Sequence, residues 1–429
     1  PRSSRYVYTL RATRSRNFRG CHQRHGVDYD AEQTYAGVTD RISMRIVLAI
    51  GCALQALIET VDITAAFLNG KMPPRYRIYV KAPQGLSFGT GKVCQLLKSL
   101  YGLKQAPAIF RSVLHGFILA QGFTECFGDE CCYSRTVGSV LTLLAVHVDD
   151  ILIVCTDRVT LDNFKAALKS RFDVKDQGSI DGHQFLGLEV EYDRQRGRLQ
   201  LHCDSYLKRS LTTLGIDYET TRPASTPVIK RGTPGSPTVD EVPLRVDQLR
   251  QLSGILAYAA MACRPDLAVA ASLLSSTKWG DITAEDLNAG KRAIQYIAHT
   301  LQRVPKLGLR YNAQVFSTIL AATTLMCFAD SDYAGDMTTC RSRSGHIILL
   351  CNAAIYWSSK LQDTIALSST AAELTSISAL CRRLVWIAAL MRHLTFPQRL
   401  VAIYEDNKPA IAVAYRENLS LRVRHMRIR

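Results

Sequence analysis

The chain has 429 residues, 47% of them apolar, which supports real hydrophobic cores and excludes a disordered, solvating chain. At roughly 100–200 residues per domain, that length makes two or three domains. Lys and Arg number 53 against 37 Asp and Glu, and the formal charge of +16 favours a polyanionic partner through counterion release.

The 13 cysteines form no C-x-x-C pair, and adjacent Cys131-Cys132 is not a zinc-ligand spacing. An odd number of them with no signal peptide points to a reducing, intracellular compartment. The longest apolar run, 315–329, carries Ser and Thr and falls short of the ~20 residues of a membrane helix. No membrane span is therefore expected.

In chain order, Arg2, Arg5, Arg11, Arg14, Arg16 and Arg19 crowd residues 1–19, a poorly defined basic lead-in. Residues 61–64 are a short β-branched run holding Asp62, closed by the turn signal Asn69-Gly70. Between Gly85 and Lys92 a likeness to a phosphate loop fails, because the glycine spacing is too long and Val93 replaces the required Ser or Thr. A helix is predicted over 108–121.

Residues 141–148 and 151–155 each have strand composition, so Asp149-Asp150 reads as a two-residue hairpin turn with two carboxylates at its tip. Adjacent carboxylates raise each other's pKa unless a cation neutralises them. Mg²⁺ would do so, although a plain solvated turn also accommodates Asp. Successive strand residues face opposite sides of a sheet, so Asp62 with Asp149 is expected to form the metal pair and Asp150 to be auxiliary. Mg²⁺ takes few protein carboxylates and leaves positions for phosphate oxygens, which makes a nucleoside triphosphate the expected ligand.

Beyond a helix at 160–172, Pro223, Pro227, Pro234, Pro237 and Pro243 mark residues 220–243 as a linker. Helices are predicted at 248–262 and 284–300. Strands follow at 325–329, ending at Asp330, then at 345–350 and 354–357. Ser368-Ser369-Thr370 offers N-cap hydroxyls to a long helix whose first turn would hold Glu373. A strand over 401–404 ends near Asp406, and Asn407 is placed to start the next helix. Taken singly, Glu373 and Asp406 read as dipole-compensating acids at helix N-termini.

An ordered set of motifs resembles the polymerase of copia-type LTR retrotransposons: HQRHGVDYD (22–30), VDITAAFLNG (61–70), KSLYGLKQAP (98–107), HVDDILIV (147–154), FLGLEV (185–190), Cys263-Arg264-Pro265-Asp266-Leu267, FADSDYAGD (328–336), WSSKLQDTIALSSTAAEL (357–374) and EDNKPAI (405–411). The resemblance implies a multidomain fold of α+β and α/β type, a right-hand polymerase of fingers, palm and thumb followed by a ribonuclease H-like α/β domain. The expected divisions are the lead-in at 1–19, reverse transcriptase at 20–220, a linker and helical connection at 221–312, and a C-terminally truncated ribonuclease H-like domain at 313–429.

The same resemblance implies RNA- and DNA-directed DNA synthesis, two-metal nucleotidyl transfer to a primer 3′-OH, with Mg²⁺ as cofactor and Mn²⁺ as an alternative. Asp62, Asp149 and Asp150 would be catalytic, as would Asp330, Glu373 and Asp406 in the nuclease, with Asp332 competing for the first position. Metal would rest on Asp62, Asp149, Asp330, Glu373 and Asp406. Phe67 would exclude a ribose 2′-OH, though an aromatic between Ala66 and Leu68 also suits a core. Gln105 would contact nucleotide and template, Lys104 phosphate, and Phe185-Leu186-Gly187 the primer, while Lys175 would protonate the leaving pyrophosphate. The implied partners are an RNA template, a DNA primer, an RNA–DNA hybrid, dNTPs and a parent polyprotein with integrase and protease, without a membrane. An active element would work in a cytoplasmic virus-like particle.

Several residues depart from the family pattern. His147, smaller and open to charge, stands where a tyrosine packs under the nucleotide site. Gly37 replaces a proline, Phe110 a tryptophan and Ala371 a glutamate, while His425-Met426-Arg427 replaces H-I-D. With the chain ending at Arg429, the nuclease site is expected to be incomplete. A decayed copy that keeps its fold and its nucleic-acid binding is the alternative reading.

Overall fold

The computed structural model describes residues 29–31, 34–80, 93–228, 244–277, 279–280, 282–336 and 338–415. These fall into two compact units, one comprising the described residues to Ser43 with Leu57–Gly178, the other Met44–Ala56 with the described residues from Ser179 onward.

Helix α1 (Arg41–Ala53) starts in the first unit and continues in the second. It is buried along almost its whole length. Within the second unit Arg45 donates to Ile355 O at 3.1 Å and Ala262 O at 2.9 Å, and its guanidinium lies 4.2 Å from the Trp357 ring centroid. A buried arginine is tolerated because backbone carbonyls and an aromatic face replace water.

The first unit continues with β1 (Leu57–Ile63), β2 (Tyr79–Val80), β3 (Cys94–Gln95), α2 (Ala106–Ala120), β4 (Thr124–Cys126), β5 (Asp129–Val137), β6 (Val140–His147), β7 (Asp150–Cys155), α3 (Arg158–Arg171) and β8 (Val174–Ser179). Six strands form one sheet in the order β4-β5-β6-β7-β1-β8. Alternate residues Val61, Ile63, Ile151 and Ile153 meet Phe110, Leu114 and Ile118 of α2 and Leu161, Phe164 and Leu168 of α3 in a continuous core. Burying such aliphatic side chains stabilises the fold by about 1.5–3 kcal/mol each. By the same alternation, Asp62 and Asp150 lie on the opposite face. Phe110 is 1% exposed, so phenylalanine fills its core position.

The second unit holds β9 (Gln184–Phe185), β10 (Leu188–Asp193), β11 (Arg198–His202), α4 (Asp204–Thr213), α5 (Val246–Ala262), α6 (Ala268–Ser275), α7 (Ala284–Arg303), β12 (Gly308–Asn312), α8 (Ile319–Ala322), β13 (Met326–Asp336), β14 (Arg341–Leu350), β15 (Ala353–Leu361), α9 (Ser369–His393), β16 (Ala402–Tyr404) and α10 (Lys408–Ala414). One sheet runs β12-β11-β10-β9, the other β15-β14-β13-β16 with β16 parallel to β13. Within the helical part, the fully buried Arg264 donates to Asp266 and to Thr300 Oγ1 at 3.2 Å, and Tyr296 donates to the same Asp266 at 2.9 Å.

The expected division at 220 differs from the observed one at Gly178/Ser179. The antiparallel ladder Arg198↔Asn312 to His202↔Gly308 encloses the intervening helices, so they belong with the sheets on either side. Of the expected linker, 229–243 lies outside the described residues, as do the lead-in, the phosphate-loop likeness and 416–429. Among the described residues one helix, α9, is long and apolar enough to cross a membrane by length and composition alone, a property that the core helix of a globular unit shares. It packs on β13, β14 and α10.

Candidate functional site

The hairpin β6–β7 pairs His147 with Asp150, so its two-residue turn is Val148-Asp149. This corrects the expected Asp149-Asp150 turn. Val148, which reads as strand, takes φ +60°, an outlying conformation for a β-branched residue, and Asp150 becomes the first residue of β7. On β7's other side Asp62 is the cross-strand partner of Asp150, and Ile63 N–H donates to Asp149 O at 2.9 Å. Directly paired residues share a face with Cβ atoms about 4.5–5.5 Å apart. Asp62 and Asp150 thus share a sheet face, and Asp149, at the turn beside them, is the carboxylate whose charge acts on Asp62.

These charges act on each other. Burial, then Asp149 and Asp62, push the Asp150 carboxyl up to about 6. Burial and Asp149 raise Asp62, with Lys175 opposing. Lys175 is a residue of β8, not a residue trailing a helix. His147 is half-buried; burial and Arg41 lower its pKa against the pull of Asp149. Its Nδ1 is buried without a hydrogen-bond partner.

Phe67 follows a turn started by Ala65 at φ +52°. Its ring lies 4.7 Å from Tyr101 and 6.2 Å, edge-on, from Phe110, and it packs on two core clusters while remaining partly exposed. Gly70 lets α2 approach, since a Cβ there would stand 2.5 Å from Ile109 Cγ2. Lys104 is exposed, whereas Gln105 is 1% exposed at the start of α2. Tyr101, which the sequence reading left unassigned inside its KSLYGLKQAP motif, has its hydroxyl pKa raised by burial, Asp149 and Asp62.

In the second unit Phe185 pairs with Leu188 around a Leu186-Gly187 turn with φ +49° and +79°. Phe185 is buried. A Cβ on Gly187 would lie 2.5 Å from Tyr258 Oη, so here the glycine makes room for α5.

A second carboxylate group forms in that unit. Asp330, Glu373 and Asp406 each offer an oxygen, and these oxygens lie within 4.8 Å of one another, the tightest such grouping among the described residues. Asp330 sits in mid-strand rather than at a strand end, because β13 runs on to Asp336. Glu373 falls in the second turn of α9, since Ser368 accepts the Ala371 N–H and starts the helix early. Ser376 Oγ donates to Asp330 O at 2.9 Å, fastening α9 to the strand that carries Asp330, and Gln362 Nε2, just past β15, donates to Ala372 O at 2.9 Å. Phe328 stacks on Tyr404 at 4.9 Å, and Asn407 Oδ1 caps α10 through Ala410 N–H, which places Asp406. Asp332 instead accepts the Arg343 N–H.

Burial, then Glu405, Asp330 and Asp406, push the Glu373 carboxyl up to about 8. Its Oε2 is buried without a partner. A buried carboxylate with one unpartnered oxygen beside other carboxylates is costly, and hard oxygen donors suit Mg²⁺ or Mn²⁺. The residues fit such an ion.

The sheet and its aligned carboxylates are consistent with a polymerase fold, and the comparisons define the class. A family model described as reverse transcriptase (RNA-dependent DNA polymerase) matches residues 4–230. The chain is 29% identical over 422 residues to the retrovirus-related Pol polyprotein from transposon TNT 1-94 of Nicotiana tabacum, covering 96% of this chain and 30% of that one. It is 31% identical over 417 residues to the corresponding polyprotein from transposon RE1 of Arabidopsis thaliana, covering 96% and 27%. The chain therefore belongs to the reverse transcriptase family, among the Pol polyproteins of copia-type transposons. It spans under a third of the length of those relatives.

Proposed function

We propose that the chain carries out RNA- and DNA-templated DNA synthesis, with Asp62, Asp149 and Asp150 holding Mg²⁺. The observation that supports this most is the Asp62↔Asp150 register beside the Asp149 turn, which gathers three carboxylates, with Lys175 opposing the charge on Asp62. When bound, Mg²⁺ would neutralise charge developing on a transferred phosphoryl group.

The protein's own groups would then orient substrate. Phe67, wedged between Tyr101 and Phe110, would meet the sugar and exclude a ribose 2′-OH. Exposed Lys104 would meet phosphate, Lys175 would hold the proton for the leaving pyrophosphate, and buried Gln105 would position the start of α2. The six-stranded sheet would serve as the palm, and the Phe185–Gly187 hairpin would bear on the primer. The charge of +16 suits an RNA template, a DNA primer and their hybrid. The unit containing Asp330, Glu373 and Asp406 would act as a ribonuclease H-like partner activity. Integrase and protease would accompany it in the parent polyprotein, within a cytoplasmic virus-like particle.

Primer extension on an RNA template tests the reading. Asp149→Asn should abolish Mg²⁺-dependent extension and leave nucleic-acid affinity largely intact, because a neutral amide holds the ion poorly and adds no repulsion toward phosphate; retained extension overturns the assignment. A second reading, a relic that binds without polymerising, is favoured by His147, whose buried Nδ1 lacks a hydrogen-bond partner where the family has tyrosine.

A further inference from the structure

Glu405 has no role in the sites as drawn so far. It follows β16 and directly precedes Asp406. Its Oε1 accepts the Asn407 N–H at 3.1 Å, and its Oε2 is buried with no hydrogen-bond partner. Glu373, 5% exposed, likewise leaves its Oε2 buried and unpartnered. Among the described residues no Lys, Arg or His forms an ion pair with Asp330, Glu373, Glu405 or Asp406. Two orphaned carboxylate oxygens beside a converging acidic cluster violate the rule that buried polar atoms are satisfied, and like charges so placed repel. A cation shared by the cluster removes both costs.

We propose that Glu405 is a fourth carboxylate of the Asp330, Glu373 and Asp406 metal site, with its free Oε2 turned to a divalent cation directly or through one water. The residue pair Glu405-Asp406 then offers two donors from one short connection. The Asn407 N–H holds Oε1 and leaves Oε2 for the ion, and Asn407 itself is fixed as the cap of α10. This inference rests on reading the cluster as a metal site.

The experiment uses the full chain carrying Asp62→Asn and Asp149→Asn, which silences the other carboxylate group, with Mn²⁺ as the probe counted by electron paramagnetic resonance. The parent should bind Mn²⁺ and show a Mn²⁺-dependent rise in Tm. Glu405→Gln should weaken Mn²⁺ binding at least tenfold and shrink that rise, while its metal-free Tm stays level or increases because like-charge repulsion is relieved. Glu405→Asp should keep most of the affinity. If Glu405→Gln binds Mn²⁺ within twofold of the parent while Glu373→Gln loses it, the metal site stands and Glu405 is not part of it. A fall in metal-free Tm for Glu405→Gln would assign the residue a structural role and overturn the proposal. No Mn²⁺ binding by the parent would overturn the site and Glu405 together.

Discussion

Lys165 on α3 and Glu59 on β1 form an ion pair in which both side chains are only 7% exposed. Lys165 also reaches Asp176 on β8, Arg158 bonds Glu59 at 2.7 Å, and Lys169 bonds Asp176 at 2.8 Å. The network lies on the strand that presents Asp62 three residues later, on the opposite face. It ties α3 to β1 and β8, so what fixes the helix also fixes the strand of a candidate metal ligand.

Lys165→Met is expected to destabilise the first unit by about 1–3 kcal/mol, since it leaves buried Glu59 with only the half-exposed Arg158 and Asp176 with only Lys169 as charge partners. Urea unfolding followed by circular dichroism reads this as a lowered midpoint. Replacing Glu59 by Leu in the same chain should recover part of the loss, because the uncompensated charge goes with it. A shift below ~1 kcal/mol would mean that Arg158 and Lys169 neutralise the pair unaided.

Acid should act through the same network. Burial alone would raise the Asp176 carboxyl, but Lys165, Lys169 and the Gly178 N–H outweigh it and hold the group at about 2. Its unfolded value is about 3.9. A carboxylate with a depressed folded pKa contributes stability that is full above the unfolded value and drains away as pH falls toward the folded one. Unfolding midpoints should therefore drop between about pH 4 and pH 2, and Asp176→Asn should flatten that part of the curve. An unchanged slope in the variant would remove Asp176 from the account.

His147→Tyr is expected to raise Mg²⁺-dependent primer extension several-fold. His147 shares its sheet face with Asp150, its cross-strand partner, and a tyrosine would extend the packing surface there. Steady-state extension by the two proteins decides it. Equal or lower activity would show that the imidazole is tolerated or adapted, and the reading of this chain as a decayed copy would lose its main support.

The apolar runs around Asp149 and Asp150 disclosed a hairpin, but Val148 has strand chemistry and hid the turn by one residue. That slip also hid the cross-strand pairing of Asp62 with Asp150, since a one-residue change reverses the face. Helix α1 went unread because it is buried on nearly every side and its start signal is slight, Asp40 Oδ1 accepting the Ile42 N–H at 2.8 Å. The order of three strands, a long helix, a strand and a helix around Asp330, Glu373 and Asp406 was legible from capping and apolar pattern. Glu405 was not, because an acid beside an acid carries no local sign of which is buried. Nor was the β11–β12 ladder, which joins segments distant in sequence and redraws the division between units.

The parallel pairing of β13 with β16 sets an order of events during synthesis. Asp62 can meet Asp149 and Asp150 once the chain through β7 has emerged, because β1, β6 and β7 lie next to one another in the sheet. Asp330 must wait for β16, which docks beside β13 only after β14, β15 and α9 have been made. Parallel contacts of such long reach form slowly, as loop closure precedes any gain from pairing. A nascent chain would thus acquire its first acidic centre well before its second, and a ribosome stalled between β7 and β16 would carry a molecule with one centre and no trace of the other.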